Sequence, residues 1–217
     1  MKWSEQAWEL VKPIYDKILT MPFNQELSDG TLPKEKFIFY LAQDAYYLLE
    51  FGRTLSTISG RVDDAELVMA YARFSTGAIF AERSLHESYF VEFGLDSKVT
   101  PSPATLLYTN YLLNQAAYAS VEVAAAAVLP CFWIYKAVGD HIFAQQKGNE
   151  NIYKRWIDMY AGAEFAQAVT QAINITDDLA RHVSPATRQK MLDTFEMATR
   201  LEWMFWDSAY QLEQWKI

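Results

Sequence analysis

Punctuation is what this chain lacks. Its 217 residues include only eight glycines and seven prolines, the residues that supply positive φ angles and break regular hydrogen bonding. Strands need a turn every eight to twelve residues or so, and that supply is missing. Between the few breaks, apolar side chains recur three or four positions apart, the period of an amphipathic helix, and no segment alternates with period two. No spacing repeats and no low-complexity linker divides the sequence. The expectation is an all-α, single-domain helical bundle over residues 1–217.

Seven helical segments follow from the pattern. The first runs from Ser4, taken as its N-cap, to Leu19, with Pro13 expected to bend or break it. The stretch MPFNQELSDGTLP reads as turns, after which Pro33 opens a helix to Ser59. Further segments span Ala65 to Phe93, closed by Gly94, and Ala104 to Ala119. An Ala-rich helix beginning at Ser120 or Val121 carries Pro130 and Cys131. A sixth covers Ile152 to Asn174, and Ser184 caps a last helix reaching Trp215.

A net charge of −8 with no basic stripe disfavours nucleic acid as a partner. One cysteine permits no internal disulfide, which fits a reducing cytoplasm. The opening MKWSEQAWELVKPIYDK lacks the apolar core of a signal peptide. Val121 to Val138 is nearly apolar, but Glu122, Pro130 and Lys136 interrupt it, so a buried helix is expected and no membrane span.

Several faces carry chemistry. Tyr40, Asp44, Tyr47 and Phe51 fall at i, i+4, i+7 and i+11 of the second segment and share one face. A carboxylate on such an aromatic stripe must be paired or hydrogen-bonded, and a structural Asp satisfied by cations or backbone donors accounts for the spacing as well as a site does. Glu202 stands among aromatic and Met neighbours in LEWMFWDSAY, where desolvation would raise its pKa and suit it to donate a proton; a Glu at a helix edge is the alternative. Cys131 and Tyr135 are i, i+4 neighbours in LPCFWIY, while Tyr108 and Tyr160 are phenols on apolar faces that a core would equally use. A lone buried Cys is ordinarily a small hydrophobe. Glu82 with His86, and Asp178 with His182, are carboxylate–His pairs at i, i+4 that could ligate a metal pair in a helical oxidase. The second pair lies in a polar stretch, and His141 falls near a helix end, so all three histidines read better as surface residues.

The segments QDAYYL, AERSLHESYF, PSPATLLYTNYLL, LPCFWIY, YKRWIDMYAGAEF and EWMFWDSAY occur in an order and spacing that resemble the TenA (thiaminase II) family of the haem-oxygenase-like helical fold. The resemblance implies a hydrolase of thiamin salvage that releases 4-amino-5-hydroxymethyl-2-methylpyrimidine from an aminomethyl precursor or from thiamin. It implies Cys131 as nucleophile, Glu202 as proton donor and Tyr47 as the group tuning the thiol. Asp44 would bind the pyrimidine edge, with Tyr135, Tyr160, Tyr108 and Phe205 contacting or walling the ring. A homotetramer is implied, with no metal and no organic cofactor. Where the family often has an aromatic after the QD pair, this chain has Ala45, which is expected to open space near Asp44. A pyrimidine-binding regulator without turnover is the remaining alternative.

Overall fold

The computed structural model describes residues 1–93, 99–146 and 150–217, with the side chains at 81–82, 84–88 and 90–92 outside that description. Among the described residues there are nine helices and no strand: α1 (Trp3–Thr20), α2 (Pro22–Asp29), α3 (Lys34–Ser59), α4 (Ala65–Phe93), α5 (Pro103–Tyr118), α6 (Val121–Gln145), α7 (Lys154–Ala161), α8 (Ala163–Arg181) and α9 (Pro185–Tyr210). The all-α expectation holds.

Helix α6 is the axis of the bundle. It is long and apolar enough to cross a membrane, but 67% of its most apolar window is buried inside the protein, where it packs chiefly on α9, α8, α7 and α5. Its run of small residues, Ala124 to Ala127, is almost wholly inaccessible. Pro130 removes one donor from within it, yet the helix continues to Gln145. Helices α3 and α4 form a long antiparallel pair on one flank, and α9 closes the other side against α1, α5 and α6.

Six expectations are corrected. The stretch read as turns contains α2: Pro22 starts it, Phe23 and Leu27 bury its inner face, and Gly30 ends it at φ 71°. Pro13 does not break α1; it and Glu9, whose carbonyl loses its helical donor, lie exposed, so water can satisfy that group. Ser4 is not the cap of α1. Lys2 occupies that position, and Ser4 is buried inside the helix, its N–H and hydroxyl each donating to Asp177 at 2.8 Å. The sixth segment is two helices, because the extended backbone of Gly162 (ψ 152°) ends α7 and starts α8.

The polar stretch around Asp178 and His182, expected at the surface, is partly interior, since Thr176, Asp177 and Ala180 of α8 are buried. The last helix stops at Tyr210 rather than Trp215, while Ser184 caps it as expected by accepting Thr187 N–H at 3.1 Å. Gly94 lies outside the described residues.

Candidate active site

A cavity of about 720 Å³ opens between α3, α4, α6 and the α7–α8 junction. That size falls within the range of small-molecule sites. Helix α3 contributes Asp44, Tyr47, Leu48 and Phe51; α6 contributes Cys131, Phe132 and Tyr135; α7 contributes Met159 and Tyr160. Helical periodicity explains the grouping, as Asp44, Tyr47 and Phe51 share a face and Cys131 stands one turn before Tyr135. The rim is polar and exposed, carrying Arg73, Asp158, Glu164, Gln167 and Gln171.

Behind this wall lies a second layer. Glu202 on α9 is 0% exposed, and its Oε1 accepts a hydrogen bond from Tyr108 Oη at 2.7 Å. Its Oε2 is buried without a hydrogen-bond partner. The Tyr47 ring bridges the layers, with centroid separations of 5.0 Å to Tyr108 and 5.4 Å to Phe205. Tyr47 Oη makes no well-formed hydrogen bond at rest, although it stands close enough to Cys131 to donate to the thiol.

The charge environment of this layer favours neutral groups. Burial pushes Cys131 well above the usual thiol range, the nearby Glu202 and Asp44 carboxyls add to this, and only donation from Tyr47 opposes it. Burial also lifts Glu202 to about 8; Tyr108 pulls it down and Asp44 pushes it up. Tyr47, Tyr108, Tyr135 and Tyr160 are all raised, chiefly by burial. Arg73, at the exposed rim, is the one cation on the cavity wall among the described residues. At neutral pH the thiol and Glu202 therefore both carry protons.

All eight residues expected at a site come together, but not in one layer. Asp44, Tyr47, Cys131, Tyr135 and Tyr160 line the cavity, whereas Tyr108, Phe205 and Glu202 form its backing. Ala45 is not on the wall and opens no space there. Sequence reasoning missed the α7–α8 contribution of Met159, Phe165, Gln167 and Gln171, whose one signal was Gly162 directly after the Tyr160 motif.

Among the described residues, no three His, Cys, Asp or Glu side chains gather to hold a metal ion. Asp178 is exposed and ion-paired with Arg181 at 2.7 Å, His182 is exposed at the end of α8, and the Glu82 and His86 side chains lie outside the described residues. His141 is also exposed, 2.7 Å from Gln145 Nε2.

Comparison with known proteins matches residues 8–212 to the model of the TENA/THI-4/PQQC family. The chain belongs to that family. Among TENA/THI-4/PQQC relatives, it is 32% identical to the aminopyrimidine aminohydrolase of Bacillus subtilis, over 99% of this chain and 92% of that protein. It is 34% identical to the thiamine biosynthesis multifunctional protein ThiED of Corynebacterium efficiens, over 95% of this chain but only 28% of that longer protein. A TenA homologue from Pyrococcus horikoshii superposes with a TM-score of 0.89 at 24% identity, covering 97% of this chain and 99% of that one. A haem oxygenase from Synechocystis superposes with a TM-score of 0.60 at 16% identity, covering 96% and 92%. These two structural likenesses place the family's bundle within the haem-oxygenase-like fold.

Proposed function

We propose that the protein is a hydrolase of thiamin salvage, cleaving the exocyclic C–N bond of an aminomethyl pyrimidine, and of thiamin, by covalent catalysis at Cys131. The observation that carries the reading is the joint placement of a thiol, a carboxylate and a phenol on one cavity wall, with the buried carboxyl of Glu202 behind them. The relatives named as aminopyrimidine aminohydrolases support the substrate class.

In this mechanism Asp44 accepts a hydrogen bond from the exocyclic amine of the flat, electron-poor ring and draws it toward an imine-like form. Cys131 Sγ adds to a ring carbon and its proton passes to the ring, which ends aromaticity. Tyr47 steadies the developing thiolate by donating to sulfur, a role supported by its lowering effect on the thiol. The ring electrons then expel the substituent at the methylene: the amine of the aminomethyl pyrimidine leaves with a proton supplied by Glu202, whereas the quaternary nitrogen of thiamin leaves as neutral thiazole and takes none. Water adds to the methylene carbon and returns a proton to the carboxylate. Rearomatisation breaks the S–C bond, and sulfur recovers its own proton. For the aminomethyl pyrimidine the net change is amine plus water to alcohol plus ammonia; for thiamin it is thiazolium plus water to alcohol, thiazole and a proton. Tyr135 and Tyr160 flank the ring, while Tyr108 and Phe205 hold Tyr47 and Glu202 in register. No metal or organic cofactor takes part in these steps.

The reading takes residues 1–217 as one domain and the protein as a cytoplasmic homotetramer. Exposed Phe80 and Tyr118 are apolar surface available to subunit contacts. The deciding experiment is hydrolysis of aminomethyl pyrimidine and of thiamin by wild type and Cys131→Ser. The variant should fold and lose activity by about three orders of magnitude or more. Near wild-type turnover would exclude the nucleophile.

A further inference from the structure

Tyr40 stands one turn before Asp44 on the same face of α3, yet the chemistry above makes no use of it. It is 0% exposed and lies behind the cavity wall rather than on it. Its ring packs against Phe23 at 5.2 Å, edge-on to Phe205 at 5.8 Å and to Trp156 at 6.2 Å. A Phe would satisfy every one of those contacts. The hydroxyl is what needs a reason, because burying one without partners is costly.

Its partners lie on two other helices. Trp156 Nε1–H on α7 donates to Tyr40 Oη at 3.2 Å, and Tyr40 Oη donates to Tyr135 Oη on α6 at 3.5 Å. Tyr160, also on α7, lies close enough to the same oxygen to influence it. Tyr135 and Tyr160 are the two phenols of the cavity wall that do not belong to the thiol's own group of Tyr47, Tyr108 and Glu202. Their rings sit 5.0 Å apart at 38°. Trp156 backs Tyr160 at 4.6 Å, and Trp206 backs Tyr135 at the same distance.

We propose that Tyr40 is a positioning residue for the pyrimidine. Its hydroxyl ties α6 and α7 to α3 and fixes the angle between the Tyr135 and Tyr160 rings, without touching substrate or sulfur. Asp44 grips the edge of the ring from the next turn of the same helix, so Tyr40 aligns the flanking phenols with that grip. Loss of the hydroxyl should loosen ring binding and leave the reactivity of the free thiol alone. Small displacements of such positioning groups carry large penalties.

The inference rests on the aminopyrimidine reading, and the test separates the two. Wild type, Tyr40→Phe and the remote core variant Val11→Ala are compared as full chains. Three quantities are measured: the calorimetric Kd for 4-amino-5-hydroxymethyl-2-methylpyrimidine, KM and kcat for the aminomethyl pyrimidine, and the pH profile of Cys131 alkylation by iodoacetamide. Tyr40→Phe should raise Kd and KM by about tenfold and lower kcat by less than about threefold, with an alkylation profile that overlays wild type. Val11→Ala, on a helix that contributes nothing to the cavity, should lower the Tm and leave Kd unchanged.

A Kd for Tyr40→Phe within about twofold of wild type overturns the proposal, as does an alkylation profile that shifts with it, or an equal rise in Kd for Val11→Ala. Should Tyr40→Phe not fold, Trp156→Phe removes the donor to the same oxygen and must show the same pattern. If wild type binds no aminopyrimidine, the functional reading falls first and takes this inference with it.

Discussion

Replacing Glu202 by Gln tests the electrostatics of the backing layer without requiring any turnover. The folded protein holds this carboxyl at about 8 against an ordinary 4.5, so between those values the native state keeps a proton that the unfolded chain releases. Stability is therefore fully present below about pH 4.5 and is lost as pH rises through 8, where the curve flattens. At about 1.4 kcal/mol per unit, the whole interval has a ceiling on the order of 5 kcal/mol. The window from pH 6 to pH 8 accounts for about 2 kcal/mol of it. Glutamine is the neutral isostere: its Oε1 still accepts from Tyr108, and its amide replaces an Oε2 that already lacks a partner. The two proteins should melt alike near pH 5. Their Tm values should then diverge in favour of Glu202→Gln by about 10 °C at pH 8, with no further gain above pH 9. Every other titrating group is shared and cancels in the difference. A gap that stays constant with pH, or one that favours wild type as pH rises, would refute the claim that burial keeps Glu202 protonated.

Two further outcomes follow from the same geometry. Tyr108→Phe keeps the ring packed on Tyr47 but deletes the hydrogen bond that lowers the Glu202 pKa, so the alkaline limb of kcat/KM should move up by about one pH unit; a stationary limb would separate that limb from Glu202. A Cβ at Gly139 would lie 2.8 Å from Tyr160 Cβ and 2.9 Å from its carbonyl carbon, so Gly139→Ala must push α7 away from α6. KM should rise by about tenfold, with about 1–3 kcal/mol lost from stability, and an unchanged KM in steady-state assays would show that the cavity tolerates the shift.

Faces were readable from the sequence and layers were not. Period 3.6 put Asp44 and Tyr47 on one side of α3, and Cys131 and Tyr135 on one side of α6, because that is a property of a single helix. Whether Tyr108 and Phe205 stand on the cavity wall or behind it depends on how α5 and α9 cross α3, which no local pattern encodes. The same limit explains Asp177: its partner Ser4 is 173 residues away, so a buried acid looked like part of a solvated stretch. Gly162 was ambiguous for a different reason, since one glycine inside a helical pattern is tolerated about as readily as it breaks one. The desolvation of Glu202 could be anticipated from its aromatic neighbours, but its missing second partner could not.

The break at Gly162 divides the enclosure of the cavity between separate helices. The sulfur is carried by α6, locked on several sides by other helices, while much of the opposite wall, from Asp158 to Gln171, belongs to two helices meeting at a single extended residue. Substitutions along α7 and α8 bear first on that wall, and reach the thiol only through the packing of both helices on α6. Under the proposed mechanism, much of the wall that meets the substrate is thus carried by other helices than the thiol, Tyr47 and Glu202, and a lineage could drift from one leaving group to another while its reactive centre stays the same.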